Sequence, residues 1–157
     1  MMKVLFVCLG NICRSPTAHG VFAHQVEKAG LSGQIKVDSA GTSGWHNGAE
    51  PDGRSIKEAA RLGYDLSFIR SRQVCASDFK EFDYVLAMDE SNLSDLLAMC
   101  PPEYSHKVQL FLSFSDAPES EVPDPYYGGA QGFSDVLSLV ERGGQSLLER
   151  IQKSCSE

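Results

Sequence analysis

Cys8 and Arg14 lie close together near the start of this 157-residue chain and could form one chemical site. Cys8 ends a short apolar run, and Arg14 immediately precedes Ser15 and Pro16, a pair typical of a helix start. Successive backbone N–H groups in such a turn form a concave nest, and the helix dipole adds partial positive charge. Since a guanidinium binds two oxygens at once, the segment predicts a site for a tetrahedral anion such as phosphate.

The predicted anion site gives Cys8 a chemical role. A helix N-terminus and a neighbouring cation both favour the thiolate form, so we expect Cys8 to be a nucleophile at neutral pH. Gly10 and Asn11 are the residue types that most readily take positive φ, as a backbone folded around an anion demands. Ser15 is predicted to cap the helix and to donate a hydrogen bond to the sulfur. Taken alone, Cys8 would be a small buried hydrophobe, but the combination of residue types favours chemistry.

Strands that alternate with helices must position this phosphate loop. Its predicted binding residues are Leu9, Gly10, Asn11, Ile12, Cys13, Arg14 and Ser15. Apolar runs predict strands over 3–8, 35–40, 82–88 and 108–112, and helical spacing predicts helices from Ser15, over 55–62, over 90–99 and near the C-terminus. The alternation favours a single doubly wound α/β domain over 1–157, with a four-stranded parallel sheet and helices on both faces. Active clefts of such sheets lie at the carboxyl ends of the strands, where the loop begins.

Composition excludes several classes of function. Fourteen Lys and Arg against twenty-one Asp and Glu give a net charge of −7, which opposes binding to nucleic acid or anionic lipid. The longest uninterrupted apolar run, 4–9, is far shorter than the ~20 residues of a membrane helix, and no signal peptide is evident. We therefore expect a cytoplasmic protein. Five cysteines and four histidines show neither a disulfide framework nor zinc-ligand spacing, so no metal and no cofactor are expected.

Four sequence blocks, taken in order, resemble the low-molecular-weight protein tyrosine phosphatase family. They are C-L-G-N-I-C-R-S from Cys8, D-S-A-G-T-S-G-W from Asp38, M-D-E-S-N from Met88 and V-P-D-P-Y-Y-G from Val122. The bare C-x5-R pattern is shared with unrelated phosphatases, but the four blocks together are specific. The resemblance covers nearly the whole chain.

The resemblance implies hydrolysis of phosphotyrosine proteins or small aryl phosphates through a covalent phosphocysteine, with phosphate as an inhibitory product. It implies that Cys8 is the nucleophile, Arg14 the clamp on the phosphate oxygens and Asp124 the general acid. A tyrosine leaving group has a pKa near 10 and departs poorly as an anion, so an acid is also expected on chemical grounds. Spacing alone would make Asp124 a solvated loop acid. Its neighbours of the same kind are Asp116, Glu119 and Glu121.

Further side chains match the family's site by resemblance. Trp45, Tyr126 and Tyr127 correspond to the aromatic residues that line its substrate cleft, and the two tyrosines match positions that are phosphorylated in some members. Cys13 corresponds to a second cysteine that captures the oxidised nucleophile as a disulfide. For all four residues, ordinary packing is the alternative interpretation.

A hydrogen-bond network that braces the loop is also implied. Asn11, Ser15 and Asp89 correspond to its members. The chain departs from the family in one segment, Ser67-Phe68-Ile69-Arg70-Ser71-Arg72, where the family usually has a histidine at the position of Phe68. That departure leaves one part of the network open.

Two other functions remain compatible with the sequence. An arsenate reductase shares this fold and loop, but it needs a cysteine relay, for which Cys75 and Cys100 are the candidates. A phosphoryl-carrying or phosphoprotein-binding module would form the phosphocysteine without hydrolysing it. The presence of Asp124 favours hydrolysis, since a carrier gains nothing from a general acid that also activates water.

Overall fold

Four parallel strands form the sheet at the centre of the structure. The computed structural model describes residues 1–115, 118–126 and 129–156. Within these ranges the strands are β1 (Met2–Cys8), β2 (Ile35–Gly41), β3 (Tyr84–Ala87) and β4 (Val108–Leu110), in the order β2-β1-β3-β4. All three neighbouring pairs run parallel, so the predicted four-stranded parallel sheet is confirmed.

Strand β1 is buried on both faces, as its unbroken apolar sequence predicts. Val4 and Phe6 belong to one hydrophobic cluster, whereas Leu5 and Val7 belong to another. Successive side chains of a strand point to opposite faces, so alternate residues of β1 pack against the helix layers on opposite sides of the sheet. The position of β1 between β2 and β3 therefore places Cys8 at the centre of the sheet's carboxyl edge.

Helices cover both faces of the sheet, which confirms the doubly wound α/β class. They are α1 (Arg14–Lys28), α2 (Gly53–Arg61), α3 (Ala76–Glu81), α4 (Glu90–Met99) and α5 (Ala130–Ser156). Helices α1 and α5 contribute to the cluster that contains Phe6, and α3 and α4 contribute to the cluster that contains Val7. The bounds of α4 are those predicted. Helix α3 was not predicted, because six residues are too few for a periodic signal.

The predicted start of α1 is wrong by two residues, since Ser15 was expected at the N-cap and Pro16 at the first helical position. Arg14 is already helical and Cys13 occupies the N-cap, so Ser15 lies inside the first turn and does not cap the helix. Pro16 is then the third helical residue. Its missing N–H costs nothing there, since the first four N–H groups of a helix have no partner within it.

The other strand predictions differ at their ends. Strand β3 begins at Tyr84 and not at residue 82, because the Phe82 N–H closes α3 by bonding to the Asp78 carbonyl (3.0 Å). Strand β4 ends at Leu110, and Phe111–Phe114 form a 3₁₀ turn. Phe111 is fully buried although it does not pair with another strand, so its apolar character alone did not indicate a strand.

The segment between Phe114 and α5, called the long loop below, carries the proposed acid Asp124, and part of it is described. Asp116 and Tyr127, together with residues 117, 128 and 157, lie outside the described residues, so the predicted cleft position of Tyr127 stays a prediction. Across the part of the chain that the structure describes, none of the helices has the length and apolarity needed to cross a bilayer.

Candidate active site

The phosphate loop, residues 8–15, turns its carbonyl groups outward. They accept hydrogen bonds from donors elsewhere in the chain: Cys8 from Thr42 N (2.9 Å), Leu9 from Ser43 N (3.0 Å), Gly10 from Ser71 Oγ (2.9 Å) and Ile12 from Asp52 N (2.7 Å). The C=O and N–H of a trans peptide point in opposite directions, so the loop's N–H groups turn inward. The result is the concave array of donors that an anion requires.

Asn11 gives the loop its turn, as the sequence predicts. It is the one described residue other than glycine with positive φ (56°), and its side chain is fully buried. Its Oδ1 accepts from the Arg72 N–H (3.1 Å) and its Nδ2 donates to Ser15 Oγ (2.8 Å), so the amide connects the last residue of the loop to the segment that contains Arg72.

The corresponding expectation for Gly10 is wrong, because Gly10 does not take positive φ. Its lack of a side chain matters for a different reason. A Cβ atom at this position would lie 2.9 Å from Cδ2 of His46. Gly10 therefore allows the His46 ring to pack closely against the loop.

The Cys8 thiol lies beside a hydroxyl at the bottom of the loop. Its Sγ is 3.1 Å from Ser15 Oγ, and Cys8 is only 3% exposed. Ser15 Oγ accepts a hydrogen bond from Asn11, and its own hydrogen has two acceptors within reach, the sulfur at 3.1 Å and the Ala40 carbonyl at 3.4 Å. This contact fixes the position of the sulfur at the bottom of the loop.

Arg14 is held rigidly beneath the pocket. Its Nη1 donates to Asp89 Oδ2 (2.6 Å) and to the Val122 carbonyl (3.0 Å), and its side chain is 4% exposed. Burial alone would lower the pKa of this guanidinium, but the charges of Cys8 and Asp89 together raise it above its ordinary value. Asp89 also caps α4 through a hydrogen bond from the Asn92 N–H (2.8 Å). Arg14 is thus a permanent cation with one nitrogen already committed to the protein.

Asp124 reaches the same pocket from the long loop. Its Oδ2 lies 3.8 Å from Arg14 Nη2, and its Oδ1 accepts from the Tyr126 N–H (3.0 Å). The loop is attached to the body of the protein just before Asp124, since the Val122 N–H bonds to the Met88 carbonyl (2.7 Å). Glu121, an alternative acid by spacing, instead accepts from the Glu90 N–H at the start of α4 (2.7 Å).

A pocket of about 170 Å³ opens where these residues meet. Its lining consists of Cys8, Leu9, Gly10, Ile12, Cys13, Arg14, Trp45, His46, Asp124 and Tyr126. Trp45 is 79% exposed, so it borders the pocket and is not packed in a core. Asn11 and Ser15 do not line the pocket and brace the loop from behind. His46 was not predicted, and its place beside Trp45 in the sequence was the one available signal.

The second cysteine of the loop, Cys13, is buried within the pocket wall. Burial, together with the negative charge of Asp52, raises the pKa of its thiol to about 12. Cys13 is therefore protonated at neutral pH. Among residues 1–115, 118–126 and 129–156, no group of three or more His, Cys, Asp and Glu side chains could hold a metal ion.

The segment that departs from the family still braces the loop. Phe68 is 57% exposed, and its ring packs edge-on against His19 (centroids 5.4 Å apart). Two other residues of the segment contact the phosphate loop. Ser71 Oγ donates to the Gly10 carbonyl, and the Arg72 N–H donates to Asn11. Neither contact was predicted.

The fold and the site together define a class of enzyme, a doubly wound α/β protein that holds a cysteine and an arginine in one anion-binding loop at the carboxyl edge of its sheet. Comparison with known proteins identifies one family within that class. Residues 3–157 match the model of the family described as low molecular weight phosphotyrosine protein phosphatase. The chain belongs to this family and is an enzyme, a protein tyrosine phosphatase.

Relatives from distant organisms agree along almost the whole chain. The low molecular weight phosphotyrosine protein phosphatase of Schizosaccharomyces pombe is 43% identical and covers 96% of this chain and 97% of its own length. The low molecular weight protein-tyrosine-phosphatase YfkJ of Bacillus subtilis is 42% identical, covering 98% and 97%. The crystal structure of a protein tyrosine phosphatase from Entamoeba histolytica, with Hepes in its active site, superposes with a TM-score of 0.95 at 41% identity and covers 98% and 99%.

Proposed function

We propose that this enzyme removes phosphate from tyrosine in two steps with Cys8 as the nucleophile. The observation that carries the proposal is that Cys8, Arg14 and Asp124 line one pocket. In the first step the Cys8 sulfur attacks phosphorus while the bond to the phenolic oxygen breaks. The loop N–H groups and the Arg14 nitrogens that do not bond to Asp89 bind the three equatorial oxygens, over which the transition-state charge is spread.

Asp124 has two successive tasks in this scheme. A phenol has a pKa near 10, so its oxygen needs a proton as it leaves, and the Asp124 carboxylic acid donates that proton. The resulting carboxylate then accepts a proton from a water molecule that attacks the phosphocysteine. The sulfur leaves as the thiolate and inorganic phosphate is released, which returns both groups to their starting forms.

The lining of the pocket favours an aryl phosphate as the substrate, because aromatic side chains pack favourably against a phenyl ring. Trp45 and Tyr126 border this space. We infer that phosphotyrosine proteins and small aryl phosphates are substrates, and that phosphate competes with them for the loop. We further propose that residues 1–157 act as one cytoplasmic phosphatase domain.

The leaving group provides the test of Asp124. We expect Asp124→Ala to slow hydrolysis of phosphotyrosine by roughly 10²–10⁴-fold. The loss should be much smaller for para-nitrophenyl phosphate, whose leaving group is far more acidic. The variant should also lose the basic limb of the pH–rate profile. Glu119→Gln, which alters an exposed acid in the same loop, is the matched control and should behave like the parent.

The nucleophile is tested in the same assay. Cys8→Ser should abolish turnover of both esters while retaining phosphate binding, because a serine hydroxyl is not ionised at neutral pH. More than a trace of activity in Cys8→Ser would refute the covalent mechanism. Equal losses for the two esters in Asp124→Ala, with an unchanged basic limb, would assign the proton donor to another residue.

The alternatives differ from this proposal in measurable ways. Cys75 is exposed and Cys100 half-buried, and neither lines the pocket, so the positions of these cysteines do not favour an arsenate reductase relay. Thioredoxin-coupled reduction of arsenate would nevertheless establish that activity. A phosphoryl carrier would release one equivalent of phenol and then stop, whereas the proposed enzyme turns over continuously.

A further inference from the structure

Arg54, at the start of α2, is fixed in one orientation by a neighbouring acid. Its Nε and Nη2 bond to Oδ1 and Oδ2 of Asp52, each at 3.0 Å. Asp52 Oδ1 also accepts from the Arg54 N–H (2.9 Å) and so caps the helix. These hydrogen bonds from Arg54 lower the pKa of Asp52 below its usual value. A two-point contact of this kind sets the plane of the guanidinium.

Two aromatic rings lie against that guanidinium. Its central carbon is 4.6 Å from the ring centroid of Phe133, a buried residue of α5, and 5.4 Å from that of Tyr126. Both distances are within the range of a cation–π interaction. Arg54 therefore joins α5 to the loop that carries Tyr126.

The same side chain is connected to both halves of the active site. On one side, the Asp52 N–H bonds to the Ile12 carbonyl of the phosphate loop (2.7 Å). On the other side, the Tyr126 N–H donates to Oδ1 of Asp124 (3.0 Å). The connection from the phosphate loop to the acid thus passes through Asp52, Arg54 and Tyr126.

We propose that Arg54 is a positioning residue that holds Tyr126, and through it Asp124, over the phosphate loop. The attachment of Val122 to Met88 secures the loop before the acid, and Arg54 secures it after the acid. Arg54 does not line the pocket, so it acts only through these residues. The inference rests on the proposed role of Asp124 as the general acid.

The kcat ratio for two substrates tests this role. We expect Arg54→Ala to lower the ratio of kcat for phosphotyrosine to kcat for para-nitrophenyl phosphate by at least about threefold, the size expected from losing a cation–π contact. Only phosphotyrosine needs the acid, so a misplaced Asp124 slows that ester more. KM should rise for both esters, because Tyr126 borders the substrate. The ratio is measured within one sample and does not depend on the fraction of enzyme that is folded.

Two further variants complete the experiment. Arg61→Ala is the matched control, since Arg61 lies on the same helix, is exposed and pairs with Glu58 (2.6 Å). It should leave the ratio unchanged. Arg54→Lys retains a cation for the rings but cannot make the two-point contact with Asp52, so its ratio should lie between those of the parent and Arg54→Ala.

The outcomes separate this inference from the proposed function. If Asp124→Ala lowers the ratio and Arg54→Ala does not, the inference is refuted and the proposed acid stands. If Arg61→Ala lowers the ratio as much as Arg54→Ala, the effect is not specific to Arg54 and the inference is also refuted. If Asp124→Ala itself leaves the ratio unchanged, the proposed function of Asp124 is the part that fails.

Discussion

Replacing Asp89 with asparagine removes the carboxylate that neutralises a buried guanidinium. Asp89 Oδ2 lies 2.6 Å from Arg14 Nη1, and the two side chains are 22% and 4% exposed. Asparagine caps a helix about as well as aspartate, so the hydrogen bond from Asn92 to the cap of α4 should persist. Asp89→Asn thus isolates the loss of the charge, and Asp89→Ala removes both the charge and the cap.

The expected magnitude follows from burial. Removing one partner of a fully buried pair costs about 3–5 kcal/mol of unfolding free energy. The Asp89 side chain is partly exposed to water and Arg14 keeps the Val122 carbonyl, so we expect about 2 kcal/mol for Asp89→Asn. Loss of the cap adds about 1 kcal/mol, which gives about 3 kcal/mol for Asp89→Ala.

Urea unfolding at pH 7 measures these differences. Asp95→Asn changes the net charge equally at an exposed position of α4 and should stay within about 0.5 kcal/mol of the parent. The double variant Asp89→Asn with Arg14→Gln should be more stable than Asp89→Asn alone, because no unpaired charge remains buried. A loss below about 0.5 kcal/mol for Asp89→Asn would show that solvent, and not Asp89, compensates the Arg14 charge.

Two further predictions concern buried titratable groups. Hydrogen peroxide should oxidise Cys8 to a sulfenic acid, which the Cys13 thiol then attacks to form a disulfide with release of water. Mass spectrometry should find the link between Cys8 and Cys13. Dithiothreitol should restore activity fully in the parent and in the control variant Cys100→Ala, but not in Cys13→Ala. Burial lowers the pKa of His19 to about 4, so the unfolded chain takes up its proton first on acidification. The stabilisation from neutral His19 is therefore complete above pH 6.5 and is lost toward pH 4, amounting to about 2 kcal/mol between pH 7 and pH 5. Urea unfolding should show a smaller pH dependence for His19→Gln than for the parent or for His106→Gln, and equal slopes would contradict the assignment.

The local sequence was sufficient to predict the four strands and the position of the phosphate loop. Strand β1 is recognisable because burial on both faces demands an unbroken apolar run, and α4 because its cap and periodicity lie within its own residues. Asn11 is predictable for the same reason, since the positive φ it adopts is a property of the residue type. Helix α3 lacked such a signal.

Ser15 and Gly10 show where local rules stop. Both residue types suit the roles predicted for them, a cap and a positive φ. The Ser15 hydroxyl does not cap the helix but does lie against Cys8, which is the second contact predicted for it. Gly10 makes room for His46, a residue brought in from another loop. The conformational propensity of a residue depends on its type and not on its neighbours in space. At Ser15 and Gly10, tertiary contacts override that propensity.

The position of the nucleophile and of its arginine could be predicted, because Cys8 and Arg14 belong to one continuous strand-loop-helix unit. The residues that hold Arg14 and face it could not be predicted from spacing. Asp89 and the Val122 carbonyl lie 75 and 108 residues away along the chain, and their contacts exist only because parallel strands end at a common edge. The link from Arg54 to Tyr126 is of the same kind: it joins α2, α5 and the long loop, and no spacing within any one of them predicts it.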